Sequence, residues 1–554
     1  MQDALHTRLD RLAPIRRIIQ VAALLGRVFD ADLVITVSQR DAAAVSRALH
    51  DLIGAELIYP RRDPHRESYQ FKHALIQDAA IGTLLRNQQA QLHRRIAVAL
   101  VEIRTDAVER NPELLAHHLQ EAGDWGGALE HWQKAGGAAM ARAASREAVS
   151  HFANAINCSK SLDDVSGGAE RMTRLHLAMA NALMQAEGYR SERLGQALDD
   201  ARRAAADTSL GGLQCEVALS SGAFFYATGR NRDYLTLADE QLENHADLLP
   251  SAYVSGLLST KGIAHLNRGE WRFALDALRK SRDLIDRADA SRRILLGGGD
   301  QLIVTQTYFH RSLVTTGFID QAIEAAERFA QTIAEIEKPF DLAWALLVKC
   351  ELCALLGHNE ALLENATKII DISERHGYTA RLSNGLSLRG LARSQLGELN
   401  AGIDDARGGM VLWRGQGVVF HTPQRICWLC DLLVQAGRLE EATQRLDEAD
   451  ALVINTDEAC ALAECVRIRG QIAACEGDLV SAVRLFEQAI AISRRQEARL
   501  FELRATTQLA SVLARQECAQ VGEPLLRAII DAFDTKHEIV DLVAARKVLD
   551  TLLR

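Results

Sequence analysis

Seven glycines in this chain keep a register. Gly317, Gly357, Gly397, Gly437 and Gly477 follow one another at steps of 40 residues, and Gly229 and Gly269 are also 40 apart. The step from Gly269 to Gly317 is 48, and within it ASRRILLGGGD (290–300) is expected to absorb the extra eight residues as a loop. The surroundings repeat as well. EGDLVSAVRLFEQAI (476–490) places Gly477 ahead of Ala482, Phe486 and Ala489; AGRLEEATQRLDEA (436–449) places Gly437 ahead of Ala442, Leu446 and Ala449. Glycine ends the first helix of a pair because it accepts a left-handed backbone. The alanine one turn into the second helix lets the axes approach, and the bulky residue four later fills the gap to the next hairpin. Each hairpin leaves an apolar face open, so hairpins must stack into a solenoid.

WQKAGGAAMARAASREAVSHFANAI (132–156) holds Trp132, Ala135, Gly136, Ala139, Ala148, Phe152 and Ala155 at a spacing that resembles the tetratricopeptide repeat. Units of 40 residues, against about 34 in that family, imply longer helices. With fainter units near 112–135 and 170–205 the resemblance covers 111–495, and the tail to Arg554 is expected to add about two helices. Only 8 prolines and 5% aromatic residues suit long helices that meet through small side chains.

The register also bears on CELC (350–353) and CWLC (427–430), whose C-x-x-C spacing suits zinc. Cys350 and Cys430 stand seven residues before Gly357 and Gly437, where other repeats have Gly222, Gly262, Gly390 and Gly470. Paired helices touch there and a small residue is needed, so cysteine reads as a small buried hydrophobe. The two pairs lie two repeats apart, which keeps them from one ion. No metal or cofactor is expected.

Residues 11–86 lack the repeat. LAPIRRIIQVAALLG (12–26) reads as an amphipathic helix, followed by DADLVITVSQ and then DAAAVSRALHDLI (41–53), with Asp41 as N-cap. GAELIYPRRDPHRESYQFKH (54–73) alternates about a turn, as a β-hairpin does. Three helices and a hairpin make a winged helix. DNA binding is weighed and set aside: the second helix of the pair offers Ser46, Arg47 and His50 but opens on Asp41, the wrong sign for phosphate. Arg61, Arg62 and Arg66 in the wing are nearly balanced by acids, and a net charge of −9 argues against a nucleic-acid partner. The expected fold is therefore all-α: a winged-helix domain over 1–86, a connecting helix over 87–110, and an α-solenoid of tetratricopeptide-like hairpins over 111–554.

Three segments, RLDRLAPIRRIIQVAALLGRVFD, YQFKHALIQDAAIGTLLRNQQAQLHRRIAVAL and NPELLAHHLQEAGDWGGALEHWQKAG, together resemble the region that follows the ATPase in bacterial STAND-type signalling ATPases. Many of these are fused to class III adenylate/guanylate cyclase domains or to LuxR-type DNA-binding domains. FDTKHEIVDLVAARKVLDTLL (533–553) is similar to the closing segment of the cyclase-associated group. The resemblance implies that His73 of FKHAL reads the β-phosphate of ADP held by an ATPase; the plainer reading is a strand-end histidine bonded to the adjoining helix. No G-x-x-x-x-G-K-[ST] occurs, and LLGGGDQ (295–301) lacks the lysine and hydroxyl that phosphate and magnesium need. The chain is therefore expected to begin where such an ATPase has finished, with an ATPase or cyclase as a partner in trans or in a longer gene product.

His117 and His118 near Glu113 and Glu121 are read as one packed and one solvated histidine, and no catalytic constellation is found. The expectation is a non-catalytic sensor or interaction module, or else the regulatory part of an ATPase-coupled cyclase. One face of each first helix would line the solenoid groove: Tyr226, Arg311, Trp344, Glu351, Asn384, Gln424, Asp431, Arg467 and Gln471. That mixed face suits a protein, a peptide or a small polar effector, although any helix face in water is polar. No membrane-spanning run and no apolar leader are read, so a cytoplasmic location is expected.

Overall fold

The N-terminal residues fold around a small antiparallel sheet of β1 (Val28–Asp30), β2 (Ile58–Arg61) and β3 (Ser68–Phe71), in the order β1-β3-β2. The structure is a computed structural model and describes residues 15–62, 66–142, 144–162, 167–285, 294–296 and 299–553. It divides into two units, Met1–Ala186 and Glu187–Arg554. Among the described residues no helix is long and apolar enough to cross a membrane.

In the first unit, α1 (Arg16–Leu25), α2 (Ala31–Ser38), α3 (Ala42–Gly54) and α4 (Ala74–Gly82) surround the sheet. Ile19, Val34, Leu49, Leu52 and Phe71 meet in one core. The three helices and the hairpin are where the sequence places them, and the hairpin tip at 63–65 lies outside the described residues. Strand β1 escapes the sequence reading because three residues are too few to show alternation. Asp41 is the N-cap residue of α3, as expected, and its carbonyl accepts from the N–H of Ala44 and Val45, but its side chain makes no cap bond. The wing's Arg66 is drawn back to Asp30 at 3.5 Å, and Arg104 bonds both Asp30 and Asp32.

Helix α5 (Arg86–Ile103), at the place read as a connector, adds Leu92, Ile96 and Leu100 to this same core. After α6 (Thr105–Arg110) come α7 (Pro112–Glu121), α8 (Trp125–Ala141), α9 (Ser145–Lys160) and α10 (Gly168–Glu187). The repeat spacing is realised between α8 and α9: a Cβ on Gly136 would lie 2.5 Å from the Phe152 ring. Between α5 and α7, His93 Nδ1 and His118 Nδ1 are 2.8 Å apart and buried. One ring donates and the other accepts, and burial keeps both neutral. Burial, helped by the neighbouring imidazoles, pulls His93 down to about 4 and His118 to about 3. An unfolded histidine titrates near 6.5, so below that pH the unfolded chain takes up protons that the folded pair refuses. Stability of the first unit is therefore complete above about pH 6.5 and is lost as pH falls toward 4. Calorimetric melts of the whole chain from pH 7.5 to 4.5 should show its transition falling, by less in His118→Gln.

The second unit is a run of hairpins: α11 (Glu192–Ala206), α12 (Gly211–Thr228), α13 (Asn231–His245), α14 (Ser251–Asn267) and α15 (Trp271–Ile285). Then come β4 (Leu295–Leu296) paired with β5 (Gly299–Asp300), α16 (Gln301–Thr316), α17 (Ile319–Ile333), α18 (Pro339–Leu356), α19 (Asn359–His376) and α20 (Thr379–Gln395). The series ends with α21 (Leu399–Gly415), α22 (Thr422–Gln435), α23 (Leu439–Asn455), α24 (Leu462–Glu476), α25 (Leu479–Gln496), α26 (Arg499–Arg515), α27 (Ala519–Asp531) and α28 (Val540–Leu552). Of the loop expected at 290–300, residues 286–293 and 297–298 around and within it lie outside the described residues. The tail holds α26 to α28, one helix more than expected.

All seven register glycines have φ between 71° and 91°. In every repeat the N–H after the glycine donates to the carbonyl five residues back at 2.8–2.9 Å, from Arg230 to Phe225 through to Asp478 and Ala473. This is the Schellman closure. The register continues once more at Glu517, with φ 60° and the same closure from Cys518 to Leu513. A side chain there is strained, so Glu517→Gly should raise stability by up to about 1 kcal/mol in denaturant titrations.

The small-residue position is equally regular. An added Cβ would come within 2.5 Å of Leu278 at Gly262, 2.5 Å of the Gly402 carbonyl at Gly390, and 2.7 Å of Phe486 at Gly470. Cys350 and Cys430 are fully buried there, and the Cys430 thiol reaches the Ala442 carbonyl at 3.4 Å. Burial holds both thiols well above the ordinary range. Position 310 breaks the rule: His310 is fully buried, seven residues before Gly317.

The array turns back on itself. Asp457 N–H donates to the Gly229 carbonyl at 3.2 Å, and Ala459 and Cys460 both donate to the Asn267 carbonyl. A Cβ on Gly317 would meet Arg499 and Phe533, and one on Gly357 would meet Val540. The turns after α12, α14, α16 and α18 are thus pinned to the links before α24, α26 and α28, which closes the groove between them.

Candidate functional site

Inside this coil the first helices of consecutive repeats face a cavity of about 160 Å³. The 40-residue register is visible in its wall, since Val304, Trp344, Asn384 and Gln424 occupy one position on α16, α18, α20 and α22. Arg311 and Glu351 share a second position and pair at 2.5 Å. Tyr226 lines the wall from α12, its hydroxyl donating to the Thr260 carbonyl. Six of the nine groove residues read from sequence therefore meet at one cavity: Tyr226, Arg311, Trp344, Glu351, Asn384 and Gln424.

The other three do not line it. Asp431 and Arg467 pair at 3.0 Å in a network with Glu464, Arg504 and Asp541. Gln471 has its Oε1 buried without a partner among the described residues. His73 belongs to the first unit. It sits in extended backbone (φ −137°) just before α4, its carbonyl accepting from the Ile76 N–H, while its side chain is exposed and makes no cap bond.

What the groove reading missed is the cavity's charge. Arg381 of α20 stacks its guanidinium 3.8 Å from the centre of the Trp344 ring, and Arg425 of α22 lies 4.0 Å over Trp413. Arg425 is only 6% exposed; it donates to Ser383 and Ser387 hydroxyls at 3.3 Å and to the Asn384 side-chain carbonyl. Among the described residues neither Arg381 nor Arg425 has a carboxylate partner, and the Nε of each is buried without a hydrogen bond. Burial, ahead of any neighbouring charge, pulls Arg381 down to about 10 and Arg425 to about 9, so both stay charged at neutral pH. Arg311 is supported by Glu351, whose carboxyl the arginine holds below its usual range although burial opposes this.

Around the guanidiniums stand rings. Tyr308 stacks on His421 at 5.8 Å, Trp413 packs edge-on to Phe420, and Trp428 completes the wall. His421 holds a left-handed backbone (φ 56°) ahead of α22, and its N–H donates to Glu458 at 2.6 Å. Burial and then Arg311 and Arg425 keep its imidazole neutral, and its Nε2 has no partner among the described residues. Burial pushes the Glu458 carboxyl up to about 8, so it adds little negative charge at pH 7. Register logic could have found Arg381, which stands 40 residues before His421. It could not have found Trp413, Val418 or Phe420, which come from a second helix and a link brought in by the coil.

Two groups of metal-type donors converge among the described residues, His93 with His117 and His118, and His421 with Glu458 and Cys460, each within 4.8 Å. In the first, His93 and His118 are bonded to each other through their Nδ1 atoms; in the second, Glu458 accepts from the backbone N–H of His421 and from the Cys460 thiol, while the His421 Nε2 has no partner among the described residues. His118 is buried and His117 exposed, one packed and one solvated.

No protein-family model matches the chain. An uncharacterized protein of Rhizobium meliloti (strain 1021) is 26% identical over 518 residues, covering 91% of this chain and 50% of its own length. The chain thus spans about half the length of that curated relative. Among solved structures, a Rap protein complexed with competence and sporulation factor is similar at a TM-score of 0.41 and 9% identity, covering 78% of this chain and 99% of that one. A STAND protein with a tetratricopeptide repeat sensor from Pyrococcus horikoshii is similar at 0.31 and 10% identity, covering 97% and 65%. Likeness at this level concerns the fold alone, an α-solenoid of tetratricopeptide-like hairpins.

Proposed function

We propose that this chain is the non-catalytic sensor module of a STAND-like signalling protein, and that its solenoid binds a small effector in the cavity between α12 and α22. The observation that carries this reading is the cavity itself: six of nine register-face residues and two arginines without a carboxylate partner among the described residues converge on a space of about 160 Å³. That space is close to the roughly 150 Å³ that admits benzene in a protein core, which favours a small effector over a peptide strand. The lining supports binding rather than reaction, since its charged groups are stacked on indoles or paired with each other.

The signalling assignment rests on the sequence resemblance. The Rhizobium meliloti relative has about as much chain again outside the match, room for an ATPase or cyclase segment. An exposed His73 ahead of α4 suits a residue that reads a nucleotide on another polypeptide or domain. Ligand occupancy would stiffen the coil where its turns are pinned, and the winged-helix portion would pass that state on.

Titrating the whole chain with ring-sized solutes of each charge tests the sensor reading. Tryptophan fluorescence should change saturably, because Trp344, Trp413 and Trp428 line the cavity. A ligand at a hundred times its Kd should stabilise the second unit by about 2.7 kcal/mol. A library in which no solute changes the fluorescence or the melting temperature overturns it.

A further inference from the structure

Resting on that sensor reading, we propose that the effector is a small flat carboxylate, a single aromatic ring or its like, with the carboxylate between Arg381 and Arg425 and the ring among the tryptophans. Charge comes first. Three guanidiniums line the cavity and one carboxylate, Glu351, answers them. Glu351 is taken by Arg311. Arg381 and Arg425 lie on neighbouring first helices and each weights the cavity with a charge that no described side chain neutralises. Arg425 is buried and Arg381 half-buried with its Nε inside, and the two like charges act on one another; an anion between them relieves repulsion and desolvation, whereas a cation or a neutral polar group does not.

The geometry of the arginines limits the anion. Each guanidinium has one face on an indole, Trp344 for Arg381 and Trp413 for Arg425, so the N–H edges are what remain to meet a ligand. Edge-on donors match a planar carboxylate. Both Nε atoms lack partners, and a bidentate carboxylate uses that kind of N–H. The body of the ligand is limited by the rest of the wall. Leu219, Ile263, Leu347, Leu388, Val418 and Phe420 are apolar and Trp428 offers a ring. A flat apolar body fills that volume; a sugar or a polyamine would strand its polar groups against it.

Benzoate, phenylacetate and indole-3-acetate, each beside its uncharged amide, are the probes, titrated into the whole chain at pH 7 by calorimetry and tryptophan fluorescence. At least one acid should bind about tenfold to a hundredfold more tightly than its amide, the scale of a charge-assisted hydrogen bond. Arg381→Gln should weaken the acid at least tenfold and its amide by less, so that the preference for the acid shrinks, because the amide oxygen accepts a hydrogen bond but carries no charge. Among the described residues the Arg381 side chain makes no hydrogen bond, and the variant loses only its stack on Trp344 and Phe340, so it should melt no more than a few degrees below the parent; Arg425→Lys, which keeps the charge but not the fork, should weaken the acid less than Arg425→Gln. Amides that bind as well as their acids overturn the carboxylate assignment while the sensor reading stands. So does a Gln variant that keeps the preference. If neither acids nor amides bind, the flat-ring assignment falls, and the sensor reading is decided by the charge-diverse library.

Discussion

Replacing Arg467 by alanine is expected to lower the stability of the second unit by about 3–5 kcal/mol, the cost of breaking a buried ion pair. Arg467 is 4% exposed and joins α24 to α22. Its Nε donates to Glu464 at 2.8 Å and its Nη2 to both oxygens of Asp431 at 3.0 Å. Arg504 reaches Glu464 at 3.2 Å from α26 and is itself engaged by Asp541. Removing Arg467 leaves Asp431 and Glu464 together in the interior with one shared cation at a distance. The pH dependence separates this from simple loss of packing. Burial already raises Asp431, while Arg467 and Arg504 hold Glu464 below its ordinary range against burial. Without Arg467 both carboxyls rise above their unfolded values. A raised carboxyl keeps its stability below the unfolded pKa and loses it as pH climbs through the folded one. The deficit against the parent should therefore be smaller at pH 5 than at pH 8 in urea unfolding followed by circular dichroism. An equal deficit at both would mean that packing alone is lost.

Phe486→Ala should cost a similar amount, about 3–5 kcal/mol, for a different reason. Phe486 is 1% exposed and fills the space beside Gly470, where an added Cβ would be 2.7 Å from its ring. Truncation leaves a cavity between α24 and α25. Gly470→Ala alone overpacks the same spot and should cost about 1–3 kcal/mol. Because the new methyl occupies part of the space the ring vacates, the double variant should be more stable than the sum of the two losses predicts. Strict additivity in that cycle would show that the glycine and the ring are not one packing unit.

The two variants show which parts of the molecule were legible. Gly470 and Phe486 belong to a local code: a helix end, a small contact and a filler recur at fixed spacing, so a single repeat displays them and the next confirms them. The same code placed Cys350 and Cys430 in helix contacts. Glu517 shows its limit, since the register continued where glycine did not and the tail holds one helix more than expected. The ion network could be read only as polar residues on a helix face. Asp431 and Arg467 looked like groove residues, and they are polar, but their partners come from α24, α26 and α28. Nothing in one repeat says whether an arginine on its inner face will meet solvent, a ligand or a carboxylate of a later repeat.

The division has a physical cause. Sequence by itself determined the helical hairpin, the 40-residue step and the face each first helix turns inward, because these depend on backbone conformation and on contacts between residues close in the chain. Tertiary structure decided what that inner face encloses. The closure of the coil depends on contacts such as Asp457 to Gly229 and Thr535 to Asp320, more than two hundred residues apart. Small rotations added over successive repeats bring those residues together, and no local pattern records their sum. That closure turned an open groove into a cavity, and it placed Arg381 and Arg425 on its wall with no carboxylate partner among the described residues.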